Sequence, residues 1–220
     1  MKIICIIPAR IGSVRIKYKN LIDFNGKPLV YWTLIQSRRI KKINRIILSS
    51  DSINLLKFSK RVSKKIKTDL RPRKLSYARS TTESLIKYLI KKYRLLNKDA
   101  IMILQPTSPL RRDEDIKDII KIFQINKLNT LISASIYKKK SKIKKISYIY
   151  YGSKRKKLDR SFKFSYNGAV YLFKVSYFIK TNKIYEKIPN IYLMDKKYSI
   201  DIDNYKDLKG YSNLSANFNF

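Results

Sequence analysis

The sequence predicts an α/β domain built on an open, largely parallel sheet, and three observations carry that expectation. Short apolar runs at residues 3–7, 46–48 and 100–104 stop abruptly at prolines or polar residues, as buried strands do where they empty into loops. Between them lie stretches whose apolar residues recur at helical spacing. The length, 220 residues, suits one domain with a sizeable core, or one with a small appendage, rather than two full domains.

Residues 3–7, IICII, form the first strand, which ends at Pro8 and opens into Ala9, Arg10, Ile11, Gly12, Ser13, Val14 and Arg15. In an open α/β sheet such a loop lies at the carboxyl ends of the strands, where ligands bind. Gly12 and Ser13 let backbone N–H groups approach an anion, while Arg10, Arg15, Lys17 and Lys19 supply opposite charge; the loop reads as a polyphosphate cradle. A surface loop that is merely basic is the competing reading in so cationic a chain. One glycine is too few for a Walker loop or a dinucleotide fingerprint.

Residues 24–29 form a turn that places Pro28 as a first helical residue, and Val30, Trp32, Thr33, Leu34 and Ile40 mark a helix over 29–40. Residues 45–51 read as a second strand and 53–65 as a second helix. A long polar connection over 69–84 ends where Ser80 and Glu83 have capping-box spacing, starting a helix to about Leu96. After the buried strand at 100–104, Pro106 and Pro109 fix a rigid loop, QPTSPLR. Asp113 caps a helix with Ile116, Ile119, Ile120 and Phe123 on its apolar face.

Residues 130–136 read as a further strand. Lysine-rich stretches at 138–145 and 154–157 flank a short strand or hairpin at 148–151; single-stranded nucleic-acid binding and a solvated excursion both fit them. In SIDID, residues 199–203, strand alternation puts Asp201 and Asp203 on one face and the isoleucines on the other. Carboxylates that close repel unless a cation sits between them. The other account of the pair is that Asp203 caps a helix over 205–211.

Composition narrows the chemistry. No histidine removes Ser-His-Asp catalysis, imidazole acid-base work and the usual zinc sites. The single cysteine, Cys5, lies inside a strand expected to be buried, which excludes a disulfide framework and argues against a thiol nucleophile. Any metal is therefore held by oxygen, which selects a hard ion such as Mg²⁺. Lys and Arg number 51 against 15 Asp and Glu, a net charge of +36 that suits nucleic acid, an acidic membrane surface or a phosphorylated substrate. The excess is spread along the chain with abundant Ile, Asn and Tyr, the signature of coding bias on permissive surface positions. Residues 3–7 are too few to span a membrane and lack a signal-peptide cleavage site, so a cytoplasmic location is expected.

Five motifs resemble the acylneuraminate (sialic acid) cytidylyltransferase family, in family order over almost the whole chain. They are IPARIGSVRIKYKN at 7–20, the segment from Arg71 with Leu75 and Ser76, QPTSPLR at 105–111, YNGAVY at 166–171 and SIDID. The resemblance implies a three-layer Rossmann-like nucleotidyltransferase fold with a mostly parallel mixed sheet, to which the YNGAVY strand returns. It implies one domain over residues 1–220, with residues about 137–165 as a small inserted basic dimerisation lobe, and a homodimer without a membrane span. The implied reaction transfers a cytidylyl group from CTP to a nonulosonic (sialic-type) acid, a nine-carbon acidic sugar, releasing pyrophosphate. Another acidic sugar or nucleotide, or a basic nucleic-acid-binding protein on a degenerate scaffold, are the alternatives.

By the same resemblance, CTP is bound by Ala9, Arg10, Gly12, Ser13, Arg15, Lys19, Asn20, Arg71, Leu75 and Ser76. The sugar is bound by Gln105, Thr107, Ser108, Lys163, Asn167 and Tyr171. Asp201 and Asp203 hold Mg²⁺ and, with Arg10 and Lys19, form the catalytic set. The chain departs from the family pattern at Val14, where a Lys usually follows the Ser, and at Ala78, where an Asp is usual. It also carries Ser165 where a cation often faces the sugar carboxylate, Lys163 being the nearest.

Overall fold

The computed structural model describes residues 1–13, 15–137, 146–156 and 163–212. Val14 and the lysine-rich residues 138–145 lie outside the described residues. Strand β1 (Ile3–Pro8) is followed by a short hairpin, β2 (Asp23–Phe24) and β3 (Lys27–Pro28). Asn25 and Gly26 turn that hairpin at φ 57° and 73°, the left-handed pair that a two-residue turn of this kind requires. Then come α1 (Leu29–Arg39), β4 (Arg45–Ser50), α2 (Ile53–Val62), β5 (Ile66–Leu70), α3 (Thr82–Tyr93), β6 (Ala100–Leu104) and α4 (Asp113–Ile125). The second half runs β7 (Thr130–Tyr137), β8 (Ile149–Tyr151), β9 (Lys154–Lys156), β10 (Lys163–Lys174), α5 (Val175–Thr181), β11 (Ile191–Leu193) and α6 (Tyr205–Ser212).

Nine strands form one sheet in the order β5-β4-β1-β6-β10-β7-β11-β8-β9. β1 runs parallel to β4 and β6, while β10 runs antiparallel to both β6 and β7, so the sheet is mixed. Side chains alternate across β1. Ile3, Cys5 and Ile7 meet Val30, Leu34, Leu55, Ile116 and Phe123 on one face, whereas Ile4 and Ile6 meet Leu85, Ile86, Leu89 and Phe178 on the other. These are three layers: α1, α2 and α4 over one face, α3 and α5 over the other. Burial pushes the Cys5 thiol up to about 12, which leaves it a core residue with no thiolate chemistry. No helix among the described residues is long and apolar enough to cross a membrane.

Four local readings change. Residues 66–70 form an edge strand, β5, where no element was expected between a helix ending at 65 and a polar connection from 69; in IKTDL only Ile66 and Asp69 are buried, so apolar periodicity hides it. The cap of α3 is Thr81, whose Oγ1 accepts from Ser84 N at 3.1 Å, while Ser80 Oγ donates to Lys74 O. Asp113 is the first helical residue of α4 and not its cap; Arg112 N donates to Asp115 at 3.3 Å, and three acids in that turn suit the helix dipole. Pro28 likewise precedes α1 instead of starting it, because its ψ of 138° is extended.

Candidate active site

The loop after β1 is fixed from three sides. Ala9 N donates to Ser49 O at 2.9 Å, Ile11 N donates to Asp51 Oδ1 at 2.8 Å, and Asn20 Nδ2 donates to Arg10 O at 2.7 Å. Tyr18 adopts φ 54°, and the chain then tightens into the 3-10 turn Lys19–Leu21. That turn carries Lys19 inward, where its side chain is only 12% exposed.

SIDID approaches from the far end of the sequence. It is not a strand: residues 199–203 have no ladder, yet the alternation survives, because Ile200 and Ile202 are buried against Ile16, Phe24, Leu29 and Leu110. Ile202 N donates to Thr107 O at 2.8 Å, which docks the segment on the QPTSPLR loop. The cap of α6 is built by Asn204 and Asp207: Asn204 Oδ1 accepts from Asp207 N, and Asp207 Oδ2 accepts from Asp203 N and Asn204 N. The Asp203 carboxylate is therefore not the cap and is turned to the cradle. Its Oδ1 lies 3.0 Å from Lys19 Nζ and 3.1 Å from Arg15 Nη2, and Lys19 also donates to Ile202 O at 2.8 Å.

Asp201 keeps an exposed edge, but its carboxyl is pushed up, first by burial and then by Asp203 and Asp207; a hydrogen bond from Thr107 and the charge of Lys19 oppose this. A raised carboxyl beside a second carboxylate, with oxygen donors alone, fits a hard divalent cation. The described residues hold no group of three or more acids, cysteines or histidines with metal-binding geometry, so the protein offers a pair.

Two cavities share this wall. One, about 300 Å³, is lined by Arg10, Ser13, Arg15, Lys19, Gln105 and Asp203 among others. Its neighbour, about 420 Å³, includes Ser165, Asn167, Lys196, Asp201 and Asp207, and Arg15 and Asp203 line both. Two larger hollows, about 460 Å³ between α1 and the start of α4 and about 740 Å³ beside the end of α1, carry no residue of the cradle, so size alone would misplace the site.

Not every expected residue reaches a cavity. Ala9 and Ser108 are fully buried and line neither; Ser108 Oγ has no partner among the described residues. Arg71 is buried behind the cradle, bonded to Ser49 O at 2.8 Å and to Ser49 Oγ, and burial lowers its pKa to about 10. Leu75 and Ser76 belong to a 3-10 turn and its cap, joined to the cradle through Arg10 Nη1, which donates to Tyr77 O at 2.7 Å. Tyr171 packs within the core, its ring 6.5 Å from Tyr185, and lines neither cavity. The side chain of Lys163 lies outside the described residues. Asn167 shapes the bulge in β10, accepting from Ser133 Oγ at 2.6 Å and donating to Ser135 Oγ at 3.0 Å. Gly168 turns there at φ 74°, where a Cβ would lie 4.0 Å from Asp201 Oδ2.

Some supporting residues were not singled out from sequence. Arg111, wholly buried, donates to Ala169 O at 2.6 Å, Gln105 O at 3.4 Å, Gln36 Oε1 at 3.0 Å and Thr33 Oγ1 at 3.2 Å. It joins the QPTSPLR loop to the β10 bulge and α1, and burial lowers its pKa to about 10. Asp69, also buried, accepts from Ser49 Oγ at 2.7 Å and pairs with Lys92 at 2.6 Å, thereby backing the Ser49–Arg71 contacts. The signal that could have found Arg111 is its place within QPTSPLR; Asp69 had none, because its strand was not legible.

Comparison with known proteins bears on the family and the fold. A family model described as Cytidylyltransferase matches residues 4–215. The chain is 26% identical over 216 residues to an N-acylneuraminate cytidylyltransferase of Escherichia coli O18:K1:H7 (strain RS218 / NMEC), covering 94% of this chain and 51% of that protein. It thus spans about half the length of that relative and of an N-acylneuraminate cytidylyltransferase from Streptococcus agalactiae. A pseudaminic acid cytidylyltransferase of Campylobacter jejuni subsp. jejuni serotype O:23/36 (strain 81-176) is 26% identical over 223 residues, covering 95% of this chain and 94% of the relative. Among solved structures, CMP:2-keto-3-deoxy-manno-octonic acid synthetase complexed with CTP shares the fold, with a TM-score of 0.70 at 14% identity over 98% of this chain and 99% of that one.

Proposed function

This chain belongs to the cytidylyltransferase family, and from that premise we propose that it transfers a cytidylyl group from CTP to the anomeric hydroxyl of a nonulosonic acid, releasing pyrophosphate. The observation that carries this reading is the convergence of Arg15 and Lys19 on Asp203 in one crevice, beside Asp201. The relatives named for N-acylneuraminate and pseudaminic acid support the acceptor class.

In the reaction a bond forms between the sugar oxygen and the α-phosphorus, and the bond from that phosphorus to the β-phosphate oxygen breaks. Such displacement needs alignment and neutralised charge, with no protein nucleophile, so the missing histidine is no obstacle. Arg10, Ser13, Arg15 and Lys19 take the β- and γ-phosphates; Gly12 and Asn20 shape the loop around them, and Arg71, Leu75 and Ser76 back the cytidine side. Gln105, Thr107 and Asn167 border the acceptor. Asp201 and Asp203 would hold Mg²⁺, which when bound supplies charge neutralisation at the α-phosphate and a more acidic sugar hydroxyl. Arg15 and Lys19 are shared between Asp203 and the triphosphate, so CTP and the divalent ion favour each other's binding: each takes up what the other releases.

Residues about 137–165 serve, by the family resemblance, as the dimerisation lobe of one domain in a homodimer; sedimentation at two protein concentrations tests that assignment. The central test is incubation with CTP, Mg²⁺ and a panel of nonulosonic acids while following pyrophosphate. Release that depends on both CTP and an acid is expected. Thermal stabilisation by CTP plus Mg²⁺ should exceed that by other nucleotides, and Lys19→Ala should remove most of it. Equal stabilisation by all nucleotides, with no release, refutes the proposal.

A further inference from the structure

The cavity beside the cradle has an electrostatic difficulty. Three carboxylates line it, Asp201, Asp203 and Asp207, and an acceptor that is itself an acid brings a fourth negative charge. Asp203 is met by Arg15 and Lys19, and Asp207 by the backbone N–H groups it caps, so those donors are already committed. Among the described residues the cations lining this cavity are Arg15 and Lys196. Arg15 is paired with Asp203 and, once CTP is bound, is committed to its phosphates. Lys196 is exposed, and among the described residues its ammonium makes no ion pair. Its backbone is held: it opens the 3-10 turn Lys196–Tyr198, and its carbonyl accepts from Ser199 N at 3.3 Å and Ser199 Oγ at 3.1 Å. Ser165, on β10 across the same cavity, is neutral.

We propose that Lys196 receives the carboxylate of the acceptor sugar and so selects acids over neutral sugars. The inference rests on the reading of the site as a cytidylyltransferase for an acidic sugar. A lysine suits the task, because a compact charge on a long stem can follow a carboxylate without a fixed fork geometry. The charge comes from an element some twenty residues beyond the end of β10, which is why the strand's own sequence did not disclose it.

The test uses Lys196→Gln and Lys196→Ala, with Lys197→Ala as a control for bulk charge, since Lys197 does not line the cavity. The probes are N-acetylneuraminic acid and pseudaminic acid with their methyl esters, each with CTP and Mg²⁺. Loss of one charge-assisted contact should raise KM for the acid about tenfold. KM for CTP, the thermal shift by CTP, and kcat at saturating acid stay within about twofold, the preference for acid over ester collapses, and Lys197→Ala matches wild type. An unchanged acid-to-ester preference in Lys196→Gln overturns the proposal, as does an equal rise in KM for acid and ester. Absence of turnover by the wild type with either acid sinks the cytidylyltransferase reading, and the role of Lys196 with it; wild-type turnover with an unaffected Lys196→Gln removes Lys196 alone.

Discussion

Replacing Asp203 with asparagine separates catalysis from folding. The side chain keeps its shape but loses the charge that holds Lys19 Nζ at 3.0 Å and Arg15 Nη2 at 3.1 Å. Asp203 is 36% exposed and Arg15 64%, so solvent screens these pairs and their loss costs about 1 kcal/mol or less. For a domain of this size that is a fall in Tm of about 2–4 °C. The backbone is spared, because Asn204 and Asp207 cap α6. Turnover falls much further, since one preorganised electrostatic group is worth about 10²–10³ in kcat. CTP binding in EDTA moves the other way: Arg15 and Lys19, released from Asp203, meet the triphosphate without a competing carboxylate, and affinity rises by up to about fivefold. Pyrophosphate release, differential scanning fluorimetry and calorimetric titration of CTP read the three effects. A kcat within about twofold of wild type, or weaker CTP binding in EDTA, would refute the reasoning.

Other outcomes follow from the same contacts. Because burial and two neighbouring acids push the Asp201 carboxyl up, its ionisation costs stability as pH rises from the unfolded value through the folded one. Asp201→Asn therefore melts slightly higher than wild type at pH 7 in EDTA, with the gap closing toward pH 3.5; a gap that widens on acidification contradicts this. Arg111→Met leaves the Ala169 carbonyl and Gln36 Oε1 without their donor, costing about 3 kcal/mol, or about 6–12 °C in Tm. Urea unfolding checks it, and an unchanged midpoint would deny Arg111 its joining role. Asp51→Ala frees Ile11 N, so KM for CTP rises severalfold while Tm falls by only a few degrees; steady-state kinetics with CTP varied decide.

Local pattern carried the strands of the centre. Residues 3–7, 46–48 and 100–104 are continuous apolar runs because both faces of those strands are covered, and a run of that kind needs no tertiary information to be read. β5 escaped because it lies at the sheet edge and is buried only at Ile66 and Asp69. The cap of α3 was misplaced by one residue, since Ser80 and Thr81 both carry a hydroxyl able to accept and only hydrogen-bond geometry separates them; at α4 the acid that meets the first orphan N–H is Asp115, inside the helix, and not Asp113.

The sequence by itself determined the layered α/β class, the basic loop after β1, the QPTSPLR loop and the acid pair, because each is written in contiguous residues whose types restrict backbone or charge. Only the tertiary structure decided that Lys19 meets Asp203, 184 positions away, that Arg71 and Ser108 are buried, and that Lys196 shares a cavity with Asp201. The physical reason is that such contacts depend on how β1, β6, β10 and the segment before α6 are laid side by side, and spacing along a chain carries no record of that packing.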